Sequence, residues 1–104
     1  MIALEGTEAR LRLEEVEARL QQIAELEPEV QRVADEKREE YLPLVKEKIE
    51  IWHQPSAAAR LRQILDVEDE ARKSADMTRN EYVALVRERW HLERLRYALR
   101  MVTA

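Results

Sequence analysis

From Leu13 onward, apolar residues recur at alternating steps of three and four. Leu13, Val16, Leu20, Ile23, Val30, Ala34, Tyr41 and Leu44 fill the a and d positions of a heptad, with Glu27, Lys37 and Lys48 as polar members of the series. This spacing draws a narrow apolar stripe down one face of an α-helix. A second stripe follows after a break: Leu61, Ile64, Glu68, Ala71, Ala75, Thr78, Tyr82, Leu85 and Arg89. The break is His53-Gln54-Pro55-Ser56. Pro55 biases Gln54 away from helical backbone, and Ser56 is suited to cap the helix that follows. The pattern predicts an all-α, coiled-coil-like antiparallel hairpin in a single domain over residues 1–104. Arm one covers 7–53, the turn 53–56 and arm two 57–103.

Local signals refine the arms. Thr7, after the lone Gly6, is the expected N-cap of the first helix. Pro28 and Pro43 each remove a backbone donor inside arm one. With no Gly or Asn nearby to close a helix, they predict kinks rather than breaks. In arm two, Thr78 and Glu81 have capping-box spacing, so a helix restart is expected there.

The two arms also carry the same text. Residues 18–48 and 59–89 align without a gap at an offset of 41, and fifteen of the 31 pairs are identical. Roughly three would be expected by chance, so the pattern reads as an internal duplication. Among the identities is the stretch Ala-Asp-x-x-Arg-x-Glu-Tyr, at 34–41 and again at 75–82.

A turn at 53–56 sets residue i opposite about residue 108 − i, which brings equivalent parts of the two repeats together. That register predicts a pseudo-twofold axis near Ala34 and Ala75. It also predicts ion pairs Glu27 to Arg79 and Glu68 to Arg38, with Tyr41 towards Leu65 and Val67 and Tyr82 towards Ala24 and Leu26. Each Tyr is expected to pack its ring and show its hydroxyl to solvent.

Composition agrees with long helices: 38% charged and 45% apolar residues, one Gly, no Phe. The start of the chain lacks the apolar core of a secretory signal, no stretch is apolar enough to span a membrane, and there is no cysteine. A cytoplasmic location follows as the expectation. Residues 1–52 hold 14 acids and 8 bases, and residues 53–104 hold 8 acids and 10 bases. Arms charged −6 and +2 attract modestly, each exposed pair contributing under about 1 kcal/mol.

The stripes leave apolar residues over. Leu42, Ile49, Ile51, Val83 and Val86 fall off the first seam, and Trp90, Leu92, Leu95 and Leu99 continue beyond the second. These are the expected interaction positions, serving a homodimer that forms a four-helix bundle or a different protein partner. Arg87, Arg89, Arg94, Arg96 and Arg100 make the C-terminal stretch basic and are the candidate phosphate contacts of an alternative, nucleic-acid-binding reading.

Enzyme chemistry has little to stand on. One Gly and no Cys exclude phosphate loops, dinucleotide fingerprints and thiol nucleophiles, so neither catalysis nor a cofactor is expected. Glu50 with His53 and Glu88 with His91 are Glu-x-x-His pairs, a spacing that di-metal bundles use. Glu is so abundant that a surface His beside a packed Trp is the favoured reading of both. The leading expectation is a non-enzymatic helical module for assembly, scaffolding or adaptation.

Overall fold

The computed structural model describes residues 6–103. Helix α1 spans Gly6–Ile51 and helix α2 spans Ala58–Thr103, with a single 3-10 turn at Pro55–Ala57 between them. The fold is all-α. No helix among the described residues is long and apolar enough to cross a membrane.

The joint is where Pro55 directs it. Gln54 is extended, with φ −94° and ψ 115°, as the residue before a proline should be. Its N–H donates to the Ile51 carbonyl at 2.9 Å, and its own carbonyl accepts from Ala57 N–H at 3.0 Å. Ser56 does not cap α2. It lies inside the 3-10 turn, whose own cap position is held by Gln54 without a side-chain cap bond. Pro55 at the first position needs no hydrogen-bond acceptor for its nitrogen, which leaves little for a capping hydroxyl to do.

Two local expectations, at Thr7 and Thr78, are corrected, and the expectation that Pro28 and Pro43 do not break the first helix holds. Thr7 lies within the first turn of α1, which the described residues enter at Gly6. α1 continues unbroken through Pro28 and Pro43. Both prolines are on exposed positions, as are Ala24 and Glu39, whose carbonyls lose their donors, so water can satisfy them. α2 likewise runs through Thr78 without a restart. Thr78 is buried, and its hydroxyl donates back to the carbonyls of Ser74 and Ala75, both at 3.1 Å. A threonine satisfied this way stays inside a helix instead of starting one.

The helices contribute to two compact units. Unit 1 contains the described residues up to Glu29 together with those from Val83; unit 2 is Val30–Tyr82. In unit 1, Ala9, Val16 and Leu99 form a buried cluster against which Leu13, Leu20, Leu92 and Leu95 pack, and Ile23 is fully buried. In unit 2, Ile64, Ala75 and Thr78 are buried, with Leu44, Leu61 and Ala71 half-buried. Every predicted seam position, from Leu13 to Lys48 and from Leu61 to Arg89, is buried or half-buried. The heptad spacing therefore identified the inward face of both helices, polar members included.

Cross-helix ion pairs show α1 and α2 antiparallel within each unit. In unit 1, Arg19 makes a two-pronged contact with Glu88 at 2.8 and 2.7 Å, and Glu17 accepts from Arg100 at 3.0 Å. Arg89 donates from Nη2 to Glu27 at 3.1 Å, while its Nε is 2.9 Å from the other carboxylate oxygen without hydrogen-bond alignment. In unit 2, Arg60 grips Glu47 at 2.9 and 3.0 Å, and Lys48 reaches Glu68 at 2.6 Å.

Arg19 with Glu88 and Arg60 with Glu47 each lie one residue from the expected 108 − i pairing, but two expected ion-pair partners are corrected. Glu27 meets Arg89 rather than Arg79, and Glu68 meets Lys48 rather than Arg38. Arg79 and Arg89 are ten residues apart, which at about 100° per residue leaves them roughly 80° apart around the helix. A side chain's angle, and not only its level along the pair, decides which partner it reaches.

The two units use equivalent residues for the same work. Arg19 and Glu88 lie 41 residues from Arg60 and Glu47, and Glu27 and Arg89 lie 41 from Glu68 and Lys48. Ile23 and Ile64, again 41 apart, are the only large side chains fully buried among the described residues.

Candidate functional site

One face of unit 2 carries a half-open depression of about 430 Å³. Its walls come from both helices and from both repeats. Ala34 and Ala75, Asp35 and Asp76, Arg38 and Arg79, Tyr41 and Tyr82 line it as four equivalent pairs, with Gln31 and Leu42 at the margin. Helical spacing explains the grouping. Positions 34, 38 and 41 follow at four and three, so they share one side of α1, and 75, 79 and 82 do the same on α2. The alanines form a shallow floor because they carry no bulk. The tyrosines are half-buried, and the four charged residues are exposed.

None of Asp35, Arg38, Asp76 and Arg79 makes a hydrogen bond or ion pair with another described residue. Elsewhere the chain's arginines are often engaged. Arg19 and Arg60 are each held more firmly protonated by their bonds to Glu88 and Glu47, and Arg19 in turn holds the Glu88 carboxyl below the usual range. Asp69 is similarly lowered, by Lys73 and Arg72. The depression instead offers two carboxylates and two guanidiniums with their hydrogen-bonding capacity unspent.

Ala34 and Ala75 thus meet in one feature, as the repeat suggested. Tyr41 and Tyr82, both half-buried, line this depression together. Spacing alone does not mark the site's charged residues, because each one by itself is an ordinary solvated helix residue. The available signal was identity between the repeats at positions that do not face inward.

Other apolar surface is also open. At the turn end of unit 2, Ile49, Trp52, Leu61 and Leu65 line a groove of about 650 Å³ together with Lys48 and His53. In unit 1, Trp90 and Tyr97 are exposed and flank Glu93 and Arg94. Both tryptophans are therefore solvent-facing, Trp52 at 71% and Trp90 at 54%, rather than packed. A helix with a single partner helix buries one stripe, and both rings lie off it.

The predicted interaction positions divide accordingly. Leu42, Ile49 and Trp90 are exposed; Ile51, Val83 and Val86 are half-buried. Leu99 is inside the unit 1 core, and Leu92 and Leu95 pack against it, so that stripe serves the chain's own fold. Of the basic residues, Arg89 and Arg100 are held by Glu27 and Glu17, Arg96 is half-buried, and Arg87 and Arg94 are exposed.

Among the described residues no three His, Asp or Glu side chains gather as a metal site would require. Glu88 is committed to Arg19, Glu50 and His91 are exposed, and His53 edges the apolar groove. The chain matches no protein-family model, no curated protein and no solved structure.

Proposed function

We propose that this chain is a non-enzymatic helical interaction module that associates with itself and presents its outer helix faces to partner proteins. The observation that carries this is an imbalance of apolar surface. Among the described residues, twelve large apolar side chains are exposed, whereas only Ile23 and Ile64 are fully buried. Three of them, Ile49, Trp52 and Leu65, lie together around the groove at the turn end, and grouped apolar surface of this kind marks interaction sites.

The simplest closed arrangement is two copies pairing into a four-helix bundle, which gives each helix a second neighbour. The 41-residue correspondence of ion pairs and of buried isoleucines supports reading the repeats as an internal duplication, in which one helix-pairing unit was copied and fused. The assembly would work in the cytoplasm as a scaffold or adaptor, with charged rims setting register.

Sedimentation equilibrium over about a hundredfold range of concentration tests this, because self-association makes the mass depend on concentration. A mass moving to that of a dimer is expected. A monomer mass throughout overturns the reading.

A further inference from the structure

We propose that the depression shared by Ala34 and Ala75 is the face on which a second copy of this chain docks, and that Arg38 and Arg79 of each copy pair with Asp35 and Asp76 of the other. This rests on the self-association just proposed and names its surface and its chemistry.

The charge pattern selects the occupant. Two carboxylates and two guanidiniums line the depression, so its formal charge sums to zero. A polyanion such as nucleic acid would meet Asp35 and Asp76 beside each arginine, and a basic surface would meet the arginines. A face carrying the same pattern, rotated by a half-turn, instead offers an Asp to each Arg and an Arg to each Asp. Such self-complementarity is what an isologous dimer contact requires. The four charged groups are already free of bonds to other described residues, so docking breaks no ion pair within the chain.

The surroundings suit close approach. The Ala34 and Ala75 floor leaves room for a neighbour's side chains, and the half-buried rings of Tyr41 and Tyr82 flank it. Leu42, 45% exposed, adds apolar area at the rim. A standard interface takes about 800 Å² from each partner. That is about a tenth of the 8262 Å² exposed by this chain, so the apolar groove at the turn end can remain open for other partners.

Charge reversal tests the proposal. Two double variants are made, Asp35→Arg/Asp76→Arg and Arg38→Asp/Arg79→Asp. A control, Arg62→Asp/Arg87→Asp, has the same net charge as the second but lies off the depression. All six altered sites are exposed, so far-UV circular dichroism should show unchanged helicity. Each double variant alone should dimerise at least about a hundredfold more weakly, since like charges facing one another across an interface oppose docking strongly. The control should dimerise as the unaltered chain does. Mixing the two double variants should restore a dimer containing one of each, read by native mass spectrometry.

Unaltered chain that is dimeric while both double variants dimerise equally well overturns this inference and leaves self-association standing through another face. Variants that are monomeric alone and stay monomeric when mixed overturn the Arg-to-Asp pairing. Unaltered chain that is monomeric at every concentration removes the underlying reading instead.

Discussion

Replacing Ile23 by Ala asks how much of the fold hangs on one side chain. Ile23 is 0% exposed, and the change deletes three buried carbons. At about 0.8 kcal/mol per methylene the transfer loss is roughly 2.4 kcal/mol. A residual cavity raises that figure, while the better helix propensity of Ala returns up to roughly 0.5 kcal/mol. The net expectation is a loss of about 2–4 kcal/mol. Ile64, also 0% exposed and 41 residues away, should lose a matching amount when replaced by Ala. Ile49 provides the contrast: it is 66% exposed, so its replacement removes little buried area and should shift stability by less than about 0.5 kcal/mol. Urea unfolding followed by circular dichroism, at one fixed protein concentration, measures all three. A loss for Ile23→Ala below about 1 kcal/mol, or an equal loss for Ile49→Ala, would refute the assignment of the core. Losses at 23 and 64 that differ more than about twofold would break the equivalence of the two units.

Two further outcomes follow from single residues. Pro28→Ala and Pro43→Ala should each stabilise the chain, by up to about 3 kcal/mol, because α1 already runs through both positions and regains a backbone donor; a fall in melting temperature would show that the prolines hold a needed bend. Glu88 has a folded-state pKa lowered chiefly by its hydrogen bond from Arg19, so its stabilising contribution is present above the ordinary Glu range and is lost as pH falls through the lowered value. Glu88→Gln should therefore flatten the acid limb of a stability-against-pH curve, and an unchanged limb would exclude this pair as a contributor.

Much of the fold was legible along the chain. A heptad stripe states which side of a helix faces inward, since angular position depends only on residue spacing, and Glu27, Lys37 and Lys48 follow the rule despite their charge. Pro55 placed the turn because it restricts the residue before it. Tertiary structure decided what spacing does not encode. The choice of ion-pair partner depends on the angular packing of both helices at once, which is why Glu27 finds Arg89 and Glu68 finds Lys48. The depression depends on two stretches, 41 residues apart, that share Ala, Asp, Arg and Tyr at matching positions and meet across a pair of helices. Each stretch alone is an ordinary charged helix turn, and only their meeting sets two Asp and two Arg around one floor.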